Sequence, residues 1–445
     1  MILLRNFGNI FKIPELTHKI LFTFLALIVY RIGALIPAIG INTEFLSEYM
    51  RRGATGFGGL LSYFDTFSGG ALQNGTIFAL AVGPYITASI MMQMLSMTVP
   101  SLEALMKEGE FGRKVINQYT RYLALVLSIA YAFSAALYLE NLNATQLPGL
   151  LVTPGWGFKL LFTLSLTVGS MFTMWLGEQI SLFGIGNGSS MIIFAGIVSR
   201  FPEYIRTTIE AARDGRINWL VALLIFVGFV VISGCIVFLE KGDRKIPVQY
   251  ARRIIGQRVY GGQSTYIPFK INTVGVMPVI FASTVLGIPL VLIGMFADRF
   301  TWLMPMARAL GQGGFLYNAL EFALIIFFTY FYTAIAFNPT ELADNMKKSG
   351  GFVPGIRPGK QTANYFDYIL TRIGLVGAIY LGILAVTPNI LGTLLNIPFN
   401  VSGTSLLIMV GVALETSSQV EAYLIEHNYK GFLSTGSMTI KRMVR

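Results

Sequence analysis

Charge is scarce in this chain: 12% of its 445 residues are Asp, Glu, Lys or Arg, where a soluble domain carries roughly 25%. That shortage, with a hydrophobic content of 54%, excludes soluble globular and disordered classes. Cysteine is nearly absent. The single thiol, Cys235, lies inside the apolar run 219–239, so no internal disulfide can form and its simplest role is packing. The two histidines, His18 and His427, stand near opposite ends of the sequence with no cluster of metal-binding side chains around them. No metal site and no cofactor are expected, and the chemistry is expected to be non-covalent. A net charge of +11 and a pI of about 9.6 would suit a nucleic-acid binder, but the basic residues are strung between hydrophobic runs. That pattern belongs to membrane topology instead.

Long apolar sequence is what the chain has in abundance. Ten runs of spanning or near-spanning length recur at about 20–36, 77–99, 122–139, 158–176, 189–201, 219–239, 274–296, 317–337, 369–390 and 401–414. Backbone in hydrocarbon must satisfy its own hydrogen bonds, and these runs lack the alternation of barrel strands, so the sequence predicts an all-α polytopic membrane protein. Runs five and ten are short against the roughly 20 residues a span requires. With the amino terminus cytoplasmic, the stretches 1–19, 97–121, 178–188, 240–273, 338–372 and 421–445 take most of the 33 lysines and arginines. Both termini are then expected inside. Four arginines between 200 and 216 run against this, accompanied by Glu203, Glu210 and Asp214. The first run lacks a convincing cleavage site, carries Arg31 near its end and is followed by Pro37, so it reads as a retained helix. The stretch 57–71, bracketed by Gly58-Gly59 and Gly69-Gly70, is too short to cross and is expected to be a re-entrant or interfacial half-helix.

Two halves repeat one pattern. Run two contains Pro84, Ile86, Ala88 and Ser89; run seven contains Pro278, Ile280, Ala282 and Ser283 at the same spacing. Run five opens Gly188-Ser189-Ser190 with Ile193 beyond, and run ten opens Gly403-Thr404-Ser405 with Ile408 beyond. Each pairing joins a run to the fifth one after it, which requires an inverted repeat. The expected organisation is an amino-terminal half at 1–217, a carboxyl-terminal half at 218–432, and a tail at 433–445. In that tail Gly436-Ser437-Met438 resembles a cloning junction, and no function is drawn from it. Val82 and Ile86 share a helix face, as do Ser189 and Ile193. With Ile280 and Ile408 they are candidates for a constriction that excludes ions by dewetting.

The segments TFSGGAL, FALAVGPYITASIMMQML, GIGNGSSMIIFAGIVSR, AFNPTELADNMKKSGGFVPGIRPGKQTA and GTSLLIMVGVALE closely resemble the SecY family of bacterial translocon channels, in the same order from Lys12 to about Phe432. The resemblance implies ten helices in two inverted halves around a pore. It implies a seal at Val82, Ile86, Ser189, Ile193, Ile280 and Ile408, where Ser189 departs from the usual aliphatic side chain. A plug helix is implied at about 60–72, with Leu60, Leu61, Phe64, Phe67 and Leu72. A lateral gate is implied with polar candidates Thr87, Ser89, Gln93 and Ser283. The implied partners are SecE and SecG subunits, the SecA ATPase, the ribosome through its RNA phosphates, signal peptides and preproteins, and membrane lipids, all at the bacterial cytoplasmic membrane. Partner-binding candidates are Arg252, Arg253 and Arg258 in loop 240–273, and Lys347, Lys348, Arg357 and Lys360 in loop 338–372. Arg357 is the foremost of these, on a turn fixed by Gly355, Pro358 and Gly359.

An enzyme is not expected. Gly355–Gln361 has one residue too few between its glycines for a phosphate loop and ends on Gln361 rather than Ser or Thr. The acids Glu178, Glu321 and Glu415 sit near the ends of their runs and make a poor proton relay. The competing expectation is a secondary transporter of a small solute with the same inverted-repeat logic.

Overall fold

The computed structural model describes residues 13–43, 45–46, 68–145, 148–250, 253–255, 258–260, 264–272, 274–296, 314–395 and 402–443. The helices in chain order are α1 (Pro14–Gly33), α2 (Gly83–Thr98), α3 (Pro100–Lys107), α4 (Glu110–Thr145), α5 (Trp156–Phe183), α6 (Gly188–Ser199), α7 (Phe201–Arg213), α8 (Trp219–Lys241), α9 (Met277–Phe296), α10 (Phe315–Ala336), α11 (Pro339–Lys348), α12 (Lys360–Leu394) and α13 (Gly403–Met443). Each of the ten apolar runs is helical over most of its length. Among the described residues, six helical stretches are long and apolar enough to cross a membrane.

Helix starts follow local chemistry. Proline opens the first turn of α1, α2, α3 and α11, where its missing N–H costs nothing. Asparagine caps α6, α8 and, ahead of its proline, α11: Asn187 accepts from the Ser189 and Ser190 amides, Asn218 from Leu220, and Asn338 from Glu341. The second apolar run departs from expectation, because residues 77–82 form turns and the helix begins only at Gly83. The physical reason is a left-handed backbone at Ala81 (φ 43°) followed by Gly83-Pro84.

The chain forms two compact units. One comprises Met1–Ile205, Leu290–Arg308 and Val412–Arg445, the other Arg206–Pro289 and Ala309–Gly411. In the first unit the irregular segment after residue 68 is buried against α4 and α5: Leu72, Ala79 and Leu80 pack with Ala132, Ala136, Leu139, Phe158, Phe162 and Leu166. Irregular backbone at such depth is tolerable only when protein encloses it. Tyr30 fastens it by donating to the Ser68 carbonyl (3.1 Å), and Arg200 by donating to Gln73 Oε1 (2.6 Å). α2, α4 and α5 meet through Ala88, Ala124 and Met174. Arg121 on α4 grips Glu178 on α5 through two parallel bonds of 2.8 Å each. The later part of α13 clasps α1, with Leu16 and Leu424 in one cluster and Lys19 Nζ donating to Tyr423 Oη (2.8 Å).

In the second unit α10 packs against α12, and the two loops between spans join in one sheet that the sequence reading did not foresee. Strands β1 (Asp243–Tyr250), β2 (Arg253–Ile255), β3 (Arg258–Tyr260), β4 (Ser264–Lys270) and β5 (Gly351–Phe352) arrange as a three-stranded antiparallel sheet, β4-β1-β5, and a separate β2-β3 hairpin. Register pairs Pro247 with Tyr266 and Lys245 with Pro268. Proline has no N–H, so these must be the wide, non-hydrogen-bonded pairs, and both prolines point their missing donors away from the β1/β4 ladder. Ile246 and Val248 face inward onto Phe269, Met346, Phe366 and Ile369.

Candidate functional site

Of the six expected sealing residues, Val82, Ile86, Ser189 and Ile193 lie in the first unit and Ile280 and Ile408 in the second. Val82 caps α2 and is buried, as are Ile193, Ile280 and Ile408, while Ile86 and Ser189 are half-buried. The Ser189 hydroxyl donates to Asn187 Oδ1 (2.6 Å) and so belongs to the cap of α6. That gives the one polar member of the set a local structural task.

The surroundings of these residues repeat between the halves in more detail than the sequence motifs suggested. At the spacing that relates Pro84 to Pro278, Ala81 (φ 43°) corresponds to Gly275 (φ 68°), so both helices are entered through a left-handed residue. At that same spacing Ile77 corresponds to Ile271. A Cβ on Gly169 of α5 would stand 2.0 Å from the Ile77 carbonyl oxygen, and one on Gly377 of α12 would stand 2.6 Å from that of Ile271. The openings of α6 and α13 match likewise. A Cβ on Gly188 would fall 1.8 Å from the Gly177 carbonyl oxygen, and one on Gly403 would fall 1.9 Å from that of Ala385. Only glycine permits such backbone approach. Asn187 caps the first of these helices, and Ser402 sits before the second, accepting from the Ser405 amide (3.2 Å).

Two of the three expected gate hydroxyls are occupied within their own helices. Thr87 Oγ1 donates to the Gly83 carbonyl (3.1 Å) and Ser283 Oγ to that of Ile280 (2.9 Å). Ser89 is half-buried and Gln93 exposed. Of the expected plug residues, Leu60, Leu61, Phe64 and Phe67 lie outside the described residues. Leu72 is buried, and its amide donates to Ser68 Oγ (3.3 Å).

On the loops, Arg252 lies outside the described residues, and Arg253 and Arg258 fall on the paired strands β2 and β3. Lys347 and Lys348 are exposed at the end of α11, where cations favour the helix dipole. Arg357 and Lys360 are exposed. Gly355 (φ 84°) and Gly359 (φ 104°) take left-handed conformations on either side of Arg357, and the Arg357 carbonyl accepts from Thr362 Oγ1 (2.9 Å). The turn is therefore built as its residues suggested. β1 pairs with β5, which holds the first loop against the one carrying Arg357.

Sequence reasoning missed Ser170, Thr173 and Asn272, whose side chains bind the left-handed turns. The signal was faint: small polar residues inside apolar runs. Of the three acids considered for a relay, Glu178 is held by Arg121, Glu415 is exposed, and Glu321 is buried beside Asn318 and Asn389. Among the described residues no group of three or more His, Cys, Asp or Glu side chains gathers to hold a metal ion.

Residues 76–417 match the SecY family model. The protein translocase subunit SecY of Escherichia coli strain K12 is 45% identical over 426 residues, covering 95% of each chain. The corresponding subunit of Thermotoga maritima is 43% identical over 439 residues, covering 98% of this chain and 99% of that one. Among solved structures, a protein-conducting channel superposes with a TM-score of 0.64 at 19% identity, covering 91% of this chain and 92% of its own. Sec61 of a canine ribosome-channel complex superposes with a TM-score of 0.60 at 18% identity, with the same coverages. At these identities the two structures bear on the fold alone.

Proposed function

The chain belongs to the SecY family, and from that premise we propose how its residues carry out the family's task. It is a multi-pass membrane protein and a protein-conducting channel of the protein translocase. The solute-transporter alternative finds no support among the relatives. In the residue-level reading, Val82, Ile86, Ile193, Ile280 and Ile408, with Ser189, seal the channel by keeping its waist dry. Aliphatic side chains offer water no hydrogen bonds, so a narrow ring of them excludes hydrated ions without any charged filter. The stretch 60–72 acts as a stopper, and an arriving apolar segment displaces it and passes sideways into lipid past Thr87, Ser89, Gln93 and Ser283. Burying that segment supplies about 25 cal/mol per Å² of apolar surface. The chain catalyses no reaction in this reading, and a partner motor or ribosome provides the work.

The cytoplasmic side of the inner membrane is the proposed home of both termini and of the sheet-linked loops. The proposed partners are SecE, SecG, SecA and the ribosome, the last because a Sec61 relative is solved in a ribosome-channel complex. Arg357, exposed on its glycine-framed turn, suits a phosphate contact whose strength falls with salt.

The observation that carries this reading is the matched pair of entrances: left-handed turn, proline, then sealing residue, at Ala81–Ile86 and again at Gly275–Ile280. Reconstitution of a variant lacking 60–72 tests it by conductance recording. A resting ion leak supports the reading, and a tight channel with saturable solute uptake would overturn it.

A further inference from the structure

Ala81 is the one non-glycine residue with positive φ among the described residues, at 43°. An L side chain in that region crowds the following carbonyl, so the turn persists only if its surroundings hold it. It is deeply buried. Its carbonyl accepts two hydroxyl bonds from α5: Ser170 Oγ at 3.1 Å and Thr173 Oγ1 at 2.9 Å. The Thr173 proton is shared with the Ser170 carbonyl, also 2.9 Å away, so Ser170 is the dedicated donor. Both hydroxyls are buried. Immediately before Ser170 on α5, Gly169 lets the backbone at Ile77 lie directly against the helix.

The other half meets the same demand with different residues. Gly275 takes the left-handed position without strain, and its carbonyl accepts from Asn272 Nδ2 at 3.0 Å. Ala378 and Leu381 occupy the positions on α12 that match Ser170 and Thr173, if Gly377 is matched to Gly169. Where glycine removes the strain, the hydroxyl pair is missing; where alanine keeps it, the pair is present.

We propose that Ser170 and Thr173 are positioning residues that clamp the strained turn at Ala81 and so fix the first turn of α2, including Val82 and Ile86. The clamp rests on the reading above for its functional consequence, since those two residues are there assigned to the seal. Its structural content stands separately. Ala81 N–H is already bonded to Phe78 O (2.9 Å) and Gly83 N–H to Leu80 O (3.1 Å), so the Ala81 carbonyl is the group through which α5 grips the turn.

The test uses the full-length chain, purified from membranes and reconstituted in liposomes. Ser170→Ala/Thr173→Val removes both donors and leaves a buried carbonyl without them, and Ala81→Gly in that background removes the strain the donors restrain. Expected are an increase of about tenfold in resting ion flux for the double variant, faster amide exchange confined to residues 82–86, and return of both toward wild type in the triple variant. Ser170→Thr and Thr173→Ser, which keep the hydroxyls, should match wild type. If the double variant does not fold, Ser170→Ala with and without Ala81→Gly makes the same comparison. Unchanged exchange at 82–86, or a defect that Ala81→Gly does not relieve, would overturn the clamp. Ile193→Ser and Ile408→Ser serve as the independent check on the seal: if neither leaks while exchange at 82–86 still rises and is rescued, the clamp stands and the sealing role fails.

Discussion

Single atoms decide much of this fold. A methyl group added at Gly188 or Gly403 would be driven into a neighbouring carbonyl oxygen, at 1.8 and 1.9 Å, and backbone cannot yield as a side chain can. Gly188→Ala and Gly403→Ala should each destabilise the protein by about 1–3 kcal/mol, measured by denaturant unfolding in detergent. Gly228, which has no atom within 4 Å of such a methyl, is the control and should be nearly neutral when changed to alanine. Glu321 presents a different problem. Its side chain is enclosed between α10 and α12, with Asn389 Nδ2 on Oε2 at 3.2 Å and nothing on Oε1. Glu321→Gln keeps the shape and a hydrogen-bonding head group and should leave stability within about 1 kcal/mol of the parent. Glu321→Ala deprives the Asn389 amide of an acceptor and opens a cavity, costing about 2–4 kcal/mol. Equal losses for the two would contradict the idea that burial, not charge, sets the role of this residue.

Among the elements, the sheet joining the two loops is the least expected and the most easily tested. Val248 is fully buried beneath it, next to Ile246 and Phe269. Val248→Asp places an unpaired carboxylate in that cluster and should separate the loops, read as rapid protease cleavage within 240–273 and 338–372 at unchanged insertion into the membrane. Pro268→Val, by contrast, adds an N–H that points outward from β4, so the β1/β4 ladder should survive. What changes is the sheet edge, which gains a donor and with it a tendency to self-associate. The Arg121–Glu178 fork between α4 and α5 belongs to the same scale. The Arg121 side chain is half in solvent, so a double-mutant cycle with alanine should yield about 0.5–1 kcal/mol of coupling and no more.

At the scale of the whole molecule, many large apolar side chains among the described residues lie on the outside. α8 displays Leu220, Leu223, Val227, Val230 and Phe238 to its surroundings, and it is long and apolar enough to cross a membrane. If Arg357 and its neighbours bind ribosomal phosphates, ribosome affinity should fall steeply with salt, and Arg357→Ala should reduce the slope of log affinity against log salt by about 1. A uniform loss of affinity with an unchanged slope would mean that this arginine shapes the loop rather than pairing with phosphate.

Sequence alone determined the class of fold and its repeat. Apolar runs far longer than a soluble core needs could only be membrane helices, and Pro84 with Pro278, or Gly188 with Gly403, already marked the two halves. It also placed Arg357 on its turn, because glycine and proline write their backbone preferences locally. Tertiary structure decided what depends on distant partners. That run two begins its helix only at Gly83, after a turn held from α5, and that strands from two loops share one sheet both follow from contacts between residues far apart in the chain. The hydroxyls of Ser170 and Thr173 are ordinary polar interruptions until a strained carbonyl is brought against them. Hydrophobicity and backbone propensity act on neighbours along the chain and are legible there, whereas a hydrogen bond to a buried carbonyl exists only once the packing has chosen its donor.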